Sequence, residues 1–159
     1  MAKGIMYVDN IRVEFDDEPT IMDVCRKAGV EMPNFCFHSD LSVYGACRMC
    51  MDEDLDTGKI DAACTTKPKN GMRIRTNTSR LLKYRRMILE LMLASHCRDC
   101  TACEKNRSCR LQEMAVRFGI HHVHFKDTRE HVPMDFSSPA VTFDLNKCIC
   151  LLYTSDAAD

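Results

Sequence analysis

The chain has 159 residues, 45% of them hydrophobic, enough for one ordinary domain or two small ones with a buried core. Its 22 basic and 23 acidic residues leave a net charge of -1, which excludes the basic balance of a nucleic-acid or anionic-membrane binder. The opening MAKGIMYVDN lacks the apolar run of a secretory signal, and the longest apolar stretch, Met87 to Ala94, is broken by Glu90 and far short of the ~20 residues of a spanning helix. A cytoplasmic chain with reduced thiols is therefore expected. In that setting eleven cysteines, an odd number, point to metal binding rather than to a disulfide scaffold.

Taken in order, Ile5 to Val8 and Ile11 to Phe15 read as two short strands joined by Asp9-Asn10, a pair that tolerates the left-handed geometry of a tight hairpin. Ile11, Val13 and Phe15 alternate with Arg12 and Glu14, as in a half-buried strand. Thr20 is an expected N-cap with Asp23 at the third helical position, Ile21, Val24, Cys25 and Ala28 fall on one helical face, and Gly29 is the stop. Cys25 is thereby a core residue and not a ligand. Further strands near Met49 to Glu53, Lys59 to Ala63 and Met72 to Arg75 complete a small α+β ferredoxin-like fold.

Ser79 to Ser95 has no glycine or proline and predicts a long helix with Leu81, Tyr84, Ile88, Leu91 and Met92 at helical spacing. Its Arg80, Lys83, Arg85 and Arg86 read as a solvated face. A second helix is expected from Cys109 to Phe118, with Leu111, Met114, Ala115 and Phe118 inward and Gly119 as its stop. Beyond it the text is irregular, with a short strand expected at Val141 to Asp144 and no self-sufficient core. His121, His122, His124 and His131 show no fixed ligand spacing and read as surface residues.

Two cysteine sets carry the chemistry. Cys36, Cys47, Cys50 and Cys64 follow C-x10-C-x2-C-x13-C, where the central pair is expected to grip one iron and the outer two to come from separate loops. Gly45 stands just before Cys47, where a missing side chain lets backbone N-H groups reach the sulfurs. A structural zinc ribbon normally has two C-x2-C pairs, whereas Cys36 and Cys64 are each unpaired. His38 is superfluous beside four thiols. In the second set, HCRDCTACEKNRSC, His96, Cys100, Cys103 and Cys109 follow H-x3-C-x2-C-x5-C directly after the long helix.

This second spacing resembles the 4Fe-4S motif of one histidine and three cysteines that follows a 2Fe-2S domain in iron-only hydrogenases, the large iron-sulfur subunit of respiratory complex I and NAD-linked formate dehydrogenases. The stretches YGACRMC, NTSRLLKYRRMILELMLASH, CRLQEMAVRFGI and REHVPMDFSSPAVTFDLNKC look most like the catalytic subunit of the iron-only hydrogenases, over about residues 1 to 149. The resemblance implies a β-grasp 2Fe-2S domain over 1–78, a small helical 4Fe-4S domain over 79–119 and, over 120–159, the start of a truncated two-cluster ferredoxin domain with an aberrant tail. It implies Cys36, Cys47, Cys50 and Cys64 as 2Fe-2S ligands and His96, Cys100, Cys103 and Cys109 as 4Fe-4S ligands, with Cys97 a bystander.

The families continue past DLNKC with a C-x2-C-x2-C-x3-C-P run, but here Cys148 is followed by Cys150 and then LLYTSDAAD, so no third cluster is expected and the reading frame is expected to end near Ile149. The hydrogen-activating domain of such hydrogenases is expected to be missing, and no catalytic residue is expected. The leading expectation is thus an electron-transfer module of a larger oxidoreductase, most like an iron-only hydrogenase, relaying single electrons through one 2Fe-2S and one 4Fe-4S cluster. The corresponding region of an NADH-quinone oxidoreductase or formate dehydrogenase is the alternative, and a zinc-stabilised interaction module the alternative of another class. Expected partners are a redox subunit or ferredoxin and a flavin- or NAD-binding subunit, with no nucleic acid and no membrane span.

Overall fold

The computed structural model describes residues 4–127 and 130–149. Cys150 and the tail after it, on which the truncation was read, lie outside the described residues. The chain divides into two compact units, one up to Arg85 and one from Arg86.

The first unit is built on a mixed five-stranded sheet. Strands β1 (Gly4–Val8) and β2 (Ile11–Phe15) form the expected antiparallel hairpin, with Asp9 and Asn10 at φ 50° and 73° in its two-residue turn. Two positive φ values in succession match the right-handed strand twist, and asparagine and aspartate tolerate them best after glycine. Helix α1 (Ile21–Lys27) crosses next, capped by Thr20, whose hydroxyl accepts from the Asp23 N-H, and it ends before Gly29 at φ +73°. Strands β3 (Met51–Asp54), β4 (Ile60–Ala62) and β5 (Arg73–Arg75) give the order β2-β1-β5-β3-β4, in which β1 and β5 run parallel and the other neighbours antiparallel.

Alternation along the strands sends Met6, Val8, Val13, Phe15 and Ile74 inward against Ile21, Met22, Val24 and Cys25 of α1. Ile11, expected inside, is 47% exposed because it sits at the turn, beyond the reach of the helix. Cys25 is fully buried, and burial pushes its thiol up to about 12, as suits an inert core cysteine. Cys50 and Cys64 belong to the same core, so the first cysteine set is built into the packing rather than laid upon it.

Helix α2 (Ser79–Ala94) holds its expected length, but its buried stripe is not the expected one. Leu81, Arg85 and Leu89 are buried at i, i+4 and i+8, whereas Tyr84 and Leu91 are 38% and 48% exposed. Arg85 is therefore not part of a solvated face, and Arg86 donates through Nε to the Phe118 carbonyl at 2.7 Å. Arg80 does lie outward, pairing with Glu53 at 3.3 Å. In the second unit, helix α3 (Arg110–Arg117) buries Leu111 and Met114 and stops at Gly119.

The strand expected at Val141 to Asp144 reduces to a single bridge between Asp135 and Phe143. Phe136 and Phe143 are 69% and 56% exposed, so no packed layer is present there to extend the pairing. His121, His122, His124 and His131 are exposed as expected, with His124 Nδ1 3.0 Å from Glu90. No helix among the described residues is long and apolar enough to cross a membrane.

Ile74, 1% exposed in β5, packs where the hairpin meets the rest of the sheet. Ile74→Ala is expected to cost about 2–5 kcal/mol in chemical denaturation, the usual range for a large-to-small change in a packed core.

Candidate metal centres

Backbone hydrogen bonds bring the first four cysteines together. The first free amides of α1 need acceptors. Ile21 N-H donates to the Thr66 carbonyl at 2.8 Å and Met22 N-H to the Ala63 carbonyl at 3.0 Å. Ala63 N-H in turn donates to the Cys50 carbonyl at 3.0 Å, so the segment bearing Cys64 is held between the helix end and the chain at Cys50. On the other side, the loop from Cys36 to Cys47 turns through Gly45 at φ +68°, where an added Cβ would lie 2.7 Å from Thr65 Cγ2. Arg48, between Cys47 and Cys50, is also left-handed at φ 53°, a costly conformation for a side-chain-bearing residue.

All four side chains are buried, from 0% to 7% exposed. Cys36 and Cys47 have their sulfurs 3.3 Å apart, and the Cys50 and Cys64 thiols influence one another, the first being lowered and the second raised. The closest sulfur contact among the four thus runs across the loop, from Cys36 to Cys47. The two residues between Cys47 and Cys50 include the left-handed Arg48, while the Ala63-to-Cys50 backbone bond draws Cys64 in.

Backbone donors serve the sulfurs, with Cys47 N-H 3.4 Å from Cys36 Sγ and Phe35 N-H 3.5 Å from Cys47 Sγ. The Cys64 thiol draws Cys50 down to about 6, and the Arg85 charge adds to this. The Cys50 thiol in turn raises Cys64, with burial reinforcing it, and burial raises Cys47. Converging soft donors and N-H groups aimed at sulfur fit an iron-sulfur group.

His38 stands apart, its Nδ1 accepting from the Asp40 N-H at 3.3 Å. Asp52, fully buried two residues from Cys50, escaped the sequence reading. Its Oδ2 has no hydrogen-bond partner, and burial followed by the nearby Asp61 and Cys50 charges pushes its carboxyl up to about 7. Its position as the inward member of the MDED strand was the available signal.

In the second unit His96, Cys100, Cys103 and Cys109 line one small hollow, and Cys97 lines it too. The hollow forms because the chain folds tightly from Cys100 to Cys109. Cys103 N-H donates to the Cys100 carbonyl at 3.3 Å and Asn106 N-H to the Cys103 carbonyl at 3.0 Å, and Arg107 takes φ 69°. Gln112 steadies the loop from α3, accepting from the Arg107 N-H at 3.1 Å and donating to Asn106 at 3.0 Å. His96 turns its Nδ1 away from solvent. Among the described residues no three His, Cys, Asp or Glu are placed to hold a single metal ion. Soft donors spread around a hollow suit a multi-iron group.

Residues 5–79 match the family described as 2Fe-2S iron-sulfur cluster binding domain, and residues 85–124 match the NADH-ubiquinone oxidoreductase-G iron-sulfur binding region. These matches assign one 2Fe-2S and one 4Fe-4S cluster to the chain. Similar curated proteins include the NADH-quinone oxidoreductase subunits G of Rickettsia conorii and Rickettsia bellii, each 32% identical over 157 residues, 96% of this chain. The chain spans only 23% of either relative's length. Among solved structures, an NAD+-reducing NiFe hydrogenase in the H2-reduced state is similar with a TM-score of 0.86 and 28% identity, over 94% of this chain and 63% of that one. The iron-sulfur fold expected from the spacing is therefore present. The family match over 85–124 and the relatives named here are of the NADH-quinone oxidoreductase G type, and they do not single out the iron-only hydrogenases of the leading expectation.

Gly45 and Gly29 separate close approach from conformational strain. Both have φ near +70°, but an added Cβ at Gly29 meets nothing within 4 Å. Gly45→Ala is expected to lower bound iron and acid-labile sulfide, whereas Gly29→Ala costs only about 1–2 kcal/mol of stability and leaves both unchanged.

Proposed function

From the premise that this chain carries iron-sulfur regions of the NADH-quinone oxidoreductase G type, we propose that it is the electron-relay portion of a larger, multi-subunit NADH-linked oxidoreductase. The observation that carries this reading is the conjunction of four buried thiols in one unit, two of them accepting from backbone N-H groups, with a histidine-and-cysteine-lined hollow in the other. Bound clusters of these kinds supply one-electron acceptance and donation at low potential, near roughly -400 mV for plant-type 2Fe-2S centres.

Each residue then has a role. Cys36, Cys47, Cys50 and Cys64 would hold the 2Fe-2S group. The N-H groups of Phe35 and Cys47 offset thiolate charge, and the surrounding core excludes water. In the second unit Cys100, Cys103 and Cys109 supply three thiolates and His96 a neutral imidazole. One fewer negative charge in that ligand set favours the reduced state and raises the potential. Cys97 lines the same hollow, but the H-x3-C-x2-C-x5-C spacing assigns the ligand role to His96.

A hydrogenase module is the second reading, supported by the NAD+-reducing NiFe hydrogenase neighbour. In both readings the partners are other subunits of the complex, including one that takes electrons from a nicotinamide, and the division into 1–78, 79–119 and 120–159 marks the two cluster domains and the segment after them.

Electron paramagnetic resonance of the reduced, anaerobically prepared chain tests the relay reading. Two distinct signals are expected. Cys64→Ala abolishes the one from the 2Fe-2S group and Cys103→Ala the other. His96→Cys moves the 4Fe-4S midpoint to more negative potential, and Cys97→Ala leaves it in place. Loss of the 4Fe-4S signal on Cys97→Ala, with retention on His96→Ala, reverses the ligand assignment.

A further inference from the structure

His96 and Cys97 are neighbours that both line the second hollow, and either side chain can ligate iron, the thiolate being the softer donor. The peptide that joins them governs which one faces the site, because a planar peptide sets the directions of the residues on its two sides together. His96 N-H still belongs to the end of α2, donating to the Leu93 carbonyl at 3.3 Å. Cys97 N-H leaves the helix and donates to the Asn146 carbonyl, also at 3.3 Å, while the Cys97 carbonyl accepts from Asp99 N-H. Asn146 lies in the short 3-10 turn Leu145–Lys147 and is itself held through its amide. Its Nδ2 donates to the Val132 carbonyl at 2.7 Å and to Asp144 Oδ1 at 2.8 Å, and its Oδ1 accepts from Val132 N-H at 3.2 Å. Apolar packing adds little around it, since Val132, Leu145 and Phe143 are 40%, 45% and 56% exposed.

We infer that Asn146 is a positioning residue of the second metal centre: the segment it ties together sets the His96-Cys97 peptide and so gives the iron position to the imidazole instead of the adjacent thiolate. The inference rests on the proposed relay with a histidine-ligated 4Fe-4S group. Once the tie is cut, the ligands exchange. The His96 nitrogen releases iron, the Cys97 thiol passes its proton to solvent, and its sulfur takes the freed position, with no electron gained or lost. The ligand set then carries one more negative charge, which disfavours reduction. Asn146 acts through the backbone of Cys97 and touches no reacting atom, and the stretch after the two cluster domains thereby serves the second site.

Pulsed electron paramagnetic resonance of the reduced full chain reads the coupling of a directly bound imidazole nitrogen to the 4Fe-4S group, and a redox titration reads its midpoint. Asn146→Ala is expected to lose the nitrogen coupling and to move the midpoint to more negative potential, in the same direction as His96→Cys. Asn146→Ala combined with Cys97→Ala recovers both, because the competing thiolate is gone, and Cys97→Ala alone stays at wild type. The 2Fe-2S resonance arises in the other unit and is unchanged throughout. An Asn146→Ala chain with wild-type coupling and midpoint overturns the inference. So does a double variant shifted as far as Asn146→Ala, which leaves only a loss of packing, and so does loss of the 4Fe-4S resonance from Asn146→Ala, since ligand exchange retains the cluster. A wild-type chain without a nitrogen-coupled 4Fe-4S resonance overturns the proposed ligand set itself, a result distinct from all of these.

Discussion

Four thiols packed into a core cannot all be ionised without help, and most of what surrounds the first cysteine site answers that constraint. Charge buried in a medium of low polarity is costly unless dipoles, hydrogen bonds or a counter-charge meet it. Here the Phe35 and Cys47 amides face sulfur, and the Arg85 guanidinium donates to the carbonyls on either side of Cys50.

The same demand shapes the backbone. Loops around a cluster must aim N-H groups inward, which requires left-handed turns, and the chain adopts them at Gly45 and Arg48 in the first unit and at Arg107 in the second. Two of these three carry side chains, so the surrounding hydrogen bonds must hold them in place. Around Arg107 that support is the Gln112 amide, reaching back from α3 to the Arg107 N-H and to Asn106. A relay tolerates little movement at its ligands, because reorganisation accompanies each electron, and both sites are accordingly tied to regular elements.

Much of this was legible in local text. The Asp9-Asn10 hairpin and the Thr20 cap depend on a few neighbouring residues, and the structure reproduces them. What escaped depends on contacts distant in sequence. The place of Cys64 follows from the bond between Ala63 and Cys50, which no count of intervening residues reveals. Arg85 was read as solvated because arginine usually is, although its place at i+4 between Leu81 and i-4 of Leu89 put it on the buried stripe. The strand expected near Val141 shrank to one bridge because alternation produces a strand only where a neighbouring layer buries one of its faces.

The central claim is that both cysteine sets hold iron-sulfur groups rather than structural zinc. The most direct measurement is the content of iron, zinc and acid-labile sulfide in the anaerobically purified chain. The account predicts, from 2 + 4, about six irons with an equal number of sulfides per chain and no stoichiometric zinc. Zinc near one or two per chain, without labile sulfide, contradicts it.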